Sequence, residues 1–226
     1  MAENGIKVLK IVFNQEITLN EIPLFRGAVI NSLDKKDVLF HNHDGDGLRY
    51  SYPLIQYKRI GGRAAIVCVG DGTEAIGEFF ASGNFDVSIG EREVSLKVDS
   101  VDARRVPVQV WDSLSAYRIR KWLPLNKENY DRFVGMDGLA EKYALLEQLM
   151  TGNILSFAKG IGIHFDERVE CRITEVSAPL PIYYKGVKFM GFDAVFKTNV
   201  SLPDYIGLGK GVSMGMGMVK RKEINL

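Results

Sequence analysis

Two histidines separated by a single residue carry the chain's clearest capacity for chemistry. His41 and His43 stand in the segment FHNHDGDGLRYSY, and imidazole is the side chain whose unperturbed pKa lies near neutrality. In extended backbone, residues two apart point the same way. Both rings can then face one reacting group and divide the duties of general base and general acid. Lys35 or Lys36 could set positive charge against a phosphorane-like transition state, Tyr50 offers a hydroxyl, and Arg49 suits a phosphate. These are the parts that metal-free cleavage of an RNA phosphodiester requires: a base for the 2′-hydroxyl proton, an acid for the leaving 5′ oxygen, and a cation on the charge that develops between them. The ribose supplies the nucleophile, so this chemistry calls for no metal and no other cofactor. The same letters admit two other readings. His41, His43, Asp44 and Asp46 are all metal-ligand types, which would make a metal-dependent hydrolase, and DGDG is also what an ordinary polar turn contains.

A second pattern stands near the C-terminus. Residues 207 to 217 read GLGKGVSMGMG, with five glycines in eleven positions. Glycine takes positive φ and lets a ligand approach its backbone amides without a Cβ in the way, so such a loop can turn several N–H groups toward a phosphate. Lys210 lies inside it and Lys220, Arg221 and Lys222 follow. It is not a P-loop, because no GK[ST] follows the glycines. It does not open a helix after a first strand either, so it is not the dinucleotide fingerprint.

The elements that must position these residues are legible in periodicity. Ile6 to Phe13 is rich in β-branched and aromatic residues and reads as a strand. Leu24 to Leu33 reads as a helix after Pro23, with Phe25, Val29 and Leu33 on one face. Strand-like runs then span Arg49 to Lys58 and Arg63 to Val69, joined at Ile60-Gly61-Gly62 by a turn suited to a tight hairpin. Thr73 is placed to cap a second helix carrying Ile76, Phe79 and Phe80, which Gly83 ends. Strand-like alternation returns over Asp86 to Val101, and Asp102 to Pro107 reads as a crossing segment. This is the strand, helix, strand, strand, helix, strand order of the ferredoxin-like arrangement.

A second unit opens with strand character at Val108 to Leu123. Leu139, Tyr143, Leu146, Met150, Ile154 and Phe157 keep helical spacing and predict the chain's strongest helix. Arg168 to Val176 and Val187 to Val200 read as strands on either side of a bend at Pro179 and Pro181. His164, alternating with Ile161, Ile163 and Phe165, reads as a structural histidine at a strand edge. The second half shows fewer helices than a full ferredoxin-like repeat demands. The fold expected is α+β: two ferredoxin-like (RRM-like) units in tandem with a C-terminal glycine-rich loop. Residues 1–104 form the unit with the histidine segment, and residues 105–226 form the unit with the loop.

The spacing Gly207, Leu208, Gly209, five residues, Gly215, Met216, Gly217, at the end of a two-unit ferredoxin-like chain, resembles the signature of the CRISPR-associated RAMP proteins. It is most similar to that of their repeat-processing endoribonucleases. The resemblance implies an enzyme that binds a CRISPR repeat transcript and cuts it, leaving a 2′,3′-cyclic phosphate. Histidines at or just after the first helix, helped by a tyrosine or lysine, recur in that family; His41, His43 and Tyr50 match, with Lys35 or Lys36 as the lysine. RNA would lie across Arg49, Arg104, Arg105, Arg118, Arg120, Lys121 and Lys210 and against Gly207, Gly209, Gly215 and Gly217. The other implied reading is a RAMP-type subunit that holds RNA without cutting it. The sequence leaves open a second copy of the chain, or other CRISPR-associated proteins, as further partners.

Composition narrows the field. The 226 residues are 46% hydrophobic, enough for two cores. Lys and Arg number 29 against 28 Asp and Glu, so no field of the whole molecule attracts nucleic acid and any basic surface must come from local clustering. Cys68 and Cys171 lack CxxC spacing and sit in strand-like runs, which predicts buried thiols. No apolar run approaches the roughly 20 residues that span a bilayer, and no leader pattern opens the chain. The expectation is a cytoplasmic protein with no membrane partner.

Overall fold

Strand alternation and a tight turn build the first sheet. In the computed structural model, which describes residues 5–33, 52–82, 84–184 and 186–222 and the backbone of 43–44 and 47–48, the chain divides into two units. The first comprises Met1–Val106 with Ser213–Gly215, the second Pro107–Val212 with Met216–Leu226.

Within the first unit, β1 (Ile6–Glu16) is central. On one side it pairs antiparallel with β5 (Arg63–Val69), which pairs in turn with β4 (Ile55–Ile60). On its other side it pairs with β8 (Val98–Val106), giving the order β4-β5-β1-β8. That is the ferredoxin-like order. The β4–β5 turn is Gly61-Gly62, both at positive φ (58° and 88°), as a two-residue hairpin of this hand requires. Helix α1 (Ile22–Asn31) starts with Pro23 in its first turn and buries Phe25 and Val29 completely. Phe25 meets Phe13 of β1 and Tyr57 of β4, each pair edge to face with centroids 5.9 Å apart. Two-residue strands β2 (His43–Asp44) and β3 (Gly47–Leu48) pair with each other between α1 and β4.

Three expectations for this unit need correction. The second helix is broken at Ile76 into α2 (Gly72–Ala75) and α3 (Gly77–Ala81), with Asp71, not Thr73, at the cap position. Thr73 instead turns its hydroxyl back to the Gly70 carbonyl at 2.8 Å. The run from Asp86 is a hairpin of β6 (Asp86–Ile89) and β7 (Arg92–Ser95) ahead of β8. Asp102 to Val106 is strand rather than a crossing segment, held because Ile6 to Lys10 offers it a complete ladder. Gly83 lies outside the described residues.

The second unit repeats the order: β10-β12-β9-β13, built from β9 (Val110–Trp122), β10 (Cys171–Val176), β12 (Val187–Val200) and β13 (Met218–Arg221). β11 (Leu180–Tyr184) pairs only with the first part of β12. Helix α4 (Lys127–Gly135) is capped by Asn126, whose side chain accepts the Asn129 N–H at 2.8 Å. Helix α5 (Leu139–Gly160) buries Leu146, Met150, Ile154 and Phe157; at roughly 1.5–3 kcal/mol for each side chain this stripe is what fixes the helix. Leu139, the first residue of the expected face, is 71% exposed because it opens the helix ahead of the buried stripe. Between β12 and β13, where a second helix would stand, the chain runs through the glycine-rich segment, which includes one turn of 3-10 helix, Val212–Met214. Both cysteines are buried free thiols. No helix among the described residues is long and apolar enough to cross a membrane.

Candidate functional site

The histidine segment leads directly from α1 into the first hairpin. His41, Lys35, Lys36, Arg49, Tyr50 and Asp46 lie outside the described residues, as do the side chains of His43 and Asp44. The backbone of His43 is extended and opposes Leu48, with Asp44 opposite Gly47. No cluster with metal-ligand character occurs among the described residues; the set His41, His43, Asp44 and Asp46 falls beyond them.

On the strand that receives this segment, the described residues hold a polar group that periodicity hides. Gln56 and Lys58 alternate with Ile55 and Tyr57 and would be read as the solvent face of β4, yet both are fully buried. Gln56 donates from Nε2 to the Tyr52 hydroxyl at 2.8 Å and to the Pro53 carbonyl at 3.0 Å. Burial disfavours the charged form of Lys58 and brings its ammonium down to about 7. On the other face, burial raises the Tyr57 hydroxyl above its ordinary range.

In the second unit, Arg118 and Arg120 are exposed and alternate with buried Tyr117 and Ile119 on β9. Arg118 lies between Val195 of β12 and Lys220 of β13, and the exposed Lys197 is two residues further along β12. Lys197 was not singled out from sequence, although the alternation of FKTNV would have found it. Two carboxylates temper this face. Glu175 takes Lys222 at 3.2 Å, and Asp193 accepts the backbone N–H of Lys121 at 2.8 Å. Lys121 itself is one of two non-glycine residues at positive φ among the described residues (50°), where the β9–β12 register shifts. The bulge turns Trp122 into the core, where its indole N–H reaches Asn153 Oδ1 at 2.8 Å.

The glycine-rich segment closes on itself. Leu208 N–H donates to Gly217 O at 2.9 Å, Gly217 N–H to Lys121 O at 3.0 Å, Lys210 N–H to Leu123 O at 3.1 Å and Met216 N–H to Gly211 O at 3.2 Å. These amides, expected to be available to a phosphate, are spent inside the protein. Gly209, Gly215 and Gly217 take positive φ (87°, 81° and 61°), and a Cβ on Gly217 would come within 1.9 Å of the Leu208 carbonyl. Gly207 bridges Met218. Lys210 sets its ammonium 4.3 Å from the centroid of Phe189.

The remaining basic candidates, Arg104 and Arg105, are exposed neighbours on β8 and therefore point to opposite faces of their sheet. Arg104 pairs with Asp102 at 2.5 Å, and Arg105 donates to the Gly5 carbonyl at 3.3 Å. They do not form one patch. His164 is exposed in the loop after α5 and belongs to no strand; the chain leaves the helix at Gly162, at positive φ, and does not re-enter a sheet before Cys171.

Residues 4–106 match the family model described as the Cas6b N-terminal domain, and residues 109–222 match the Cas6b C-terminal domain. A protein of Methanocaldococcus jannaschii, the uncharacterized protein MJ0978, is 37% identical over 105 residues, which is 46% of this chain and 70% of that one. The crystal structure of Cas6b superposes with a TM-score of 0.88 at 24% identity, covering 96% of this chain and 99% of the other. That of the CRISPR RNA processing endoribonuclease Cas6b does so with 0.74 at 23%, with the same coverage. At these identities the structural likenesses speak for the fold.

Proposed function

The chain belongs to the Cas6b family, and from that premise we propose that it is a CRISPR RNA-processing endoribonuclease, cutting the repeat transcript by attack of the RNA's own 2′-hydroxyl. The single observation that carries the reading is that both domains of the family are present, in order, over nearly the whole chain. In the reaction, one imidazole of His41 and His43 takes the proton from the 2′-hydroxyl as its oxygen bonds to phosphorus. The other gives a proton to the 5′ oxygen as that bond breaks. The products are a 2′,3′-cyclic phosphate and a 5′-hydroxyl. Lys35 or Lys36 and Tyr50 stabilise the charge on the phosphoryl oxygens, and Arg49 holds the phosphate.

The exposed face of β9, β12 and β13, with Arg118, Arg120 and Lys220, supplies phosphate contacts that set affinity without reading sequence. Lys121 and Lys210 add to this role within the second unit, while Arg104 and Arg105 offer separate phosphate contacts on the first. Gly209, Gly215 and Gly217 shape the loop that carries Lys210, a role supported by their close contacts and positive φ, and Gly207 joins it through its bridge to Met218.

The test is incubation with labelled repeat RNA in EDTA, beside the same RNA with a 2′-deoxy group at the scissile nucleotide. Cleavage in EDTA that vanishes with the deoxy substrate is expected. Binding without cleavage would make the protein a holding subunit, and activity restored only by added metal would sink the mechanism. His41→Ala and His43→Ala should each lower the cleavage rate by about 10²-fold. Unchanged rates in both would remove the histidines from the site.

A further inference from the structure

A second binding feature lies wholly within the second unit, apart from the basic strand face. The start of α4 and the β11–β12 hairpin enclose a groove of about 670 Å³. Its walls are mostly apolar and include Tyr130, Pro181, Phe189 and Met190, with Lys127 and Lys188 also lining it. Among the described residues no carboxylate lines it. Tyr130 is 43% exposed, so an aromatic face stands open to a ligand. Phe189 is held from two sides, edge to face by Tyr184 at 6.2 Å and by the Lys210 ammonium at 4.3 Å.

Open aromatic rings beside a cationic rim are what an unstacked nucleobase and its phosphates ask for. The base offers a π-face to stack on, and the flanking phosphates meet lysines without a carboxylate to repel them. The volume lies within the range of pockets that enclose small ligands. Charge complementarity decides the occupant: three ammonium groups, Lys127, Lys188 and Lys210, line the groove or pack on its wall. An apolar peptide segment would leave them idle.

We propose that this groove binds a single unstacked base of the RNA, with Tyr130 as the stacking platform and Lys127 and Lys188 on the adjoining phosphates. This inference rests on the RNA-processing reading above and adds a subsite to it. A base drawn into the groove fixes the register of the RNA on the second unit, which phosphate contacts alone cannot do.

The experiment is an abasic scan. Repeat RNAs, each lacking one base, are titrated against the wild-type protein and against Tyr130→Ala and Tyr130→Phe. One abasic position should weaken wild-type binding by about tenfold. Tyr130→Ala should weaken binding of the intact RNA by a similar factor and show no further loss at that position, because base and ring are two halves of one contact. Tyr130→Phe should restore both. Lys188→Glu should weaken all these RNAs alike and flatten the dependence of affinity on salt.

The inference is overturned if Tyr130→Ala binds intact RNA as tightly as wild type. It is also overturned if the abasic losses are the same in both proteins, or if Tyr130→Ala changes only the sedimenting mass, marking the groove as a contact between copies. A wild-type protein that neither binds nor cuts repeat RNA would instead defeat the parent reading, and this one with it. Wild-type binding and cleavage with silent variants would defeat the groove alone.

Discussion

Lys58 is fully buried on β4, beside Ala65 of β5 and, one strand further, Val12 of β1. In the unfolded chain its ammonium titrates at the ordinary value of 10.5; in the folded protein burial brings it down to about 7. Below about pH 7 both states hold the proton, and above about pH 10.5 neither does. Between those limits the unfolded chain binds more protons than the folded one, so stability must rise with pH across the window. The full displacement corresponds to about 5 kcal/mol, at about 1.4 kcal/mol for each tenfold change in proton affinity. Between about pH 7 and pH 9 the share released is about 2 kcal/mol. The perturbation is Lys58→Met, which keeps the length of the side chain and removes the titration. Urea unfolding of both proteins through that pH range gives the difference in stability at each point, cancelling the groups they share. The wild type should gain about 2 kcal/mol on the variant from the neutral to the alkaline end. Parallel stability curves, or a wild type that loses ground as pH rises, would refute the placement of an amine titrating near neutrality in this sheet.

Gly217→Ala should lower stability by about 3 kcal/mol, because a Cβ there meets the Leu208 carbonyl at 1.9 Å, the residue sits at φ 61°, and relief of the clash breaks the Leu208 and Lys121 hydrogen bonds. Thermal unfolding followed by circular dichroism measures it. Gly152→Ala, in the interior of α5 with nothing within 4 Å of the new methyl, should raise stability by about 0.5–1 kcal/mol in the same assay. Trp122→Phe strands the Asn153 carbonyl that the indole now satisfies, and should cost at least about 1–3 kcal/mol in urea unfolding.

How far the fold was legible follows from what each element answers to. Helix α5 was readable because one apolar period runs through Leu146, Met150, Ile154 and Phe157, and all four are buried against the sheet. The β4–β5 hairpin was readable because Gly61-Gly62 permits few other backbone paths. Composition alone ends the strand at Val101, because Asp102, Arg104 and Arg105 are loop-like types; what keeps them in β8 is the ladder offered by Ile6 to Lys10, and a partner strand leaves no mark on local composition. The break in the second helix has a related cause. Thr73 is a good cap by type, but its hydroxyl is taken by the Gly70 carbonyl, and Gly72 must stay bare because a Cβ would meet the Leu54 carbonyl at 2.6 Å.

The candidate site divides along the same line. His41 and His43 are proposed for acid and base chemistry on residue type alone, without reference to any other element. Lys58 and Gln56 are invisible to period-2 reasoning because that reasoning assumes one face of the sheet is wet. The glycines show the limit most clearly. Their spacing marks the family, yet the property that demands glycine is the distance from residue 217 to the Leu208 carbonyl, a contact between two arms of the loop. A motif can thus mark a family correctly while its residues act through packing. On that ground the two roles separate at a side chain whose replacement leaves the loop's backbone hydrogen bonds in place: Lys210→Met should weaken RNA binding in a titration while leaving the unfolding transition nearly in place, whereas Gly217→Ala should disturb both.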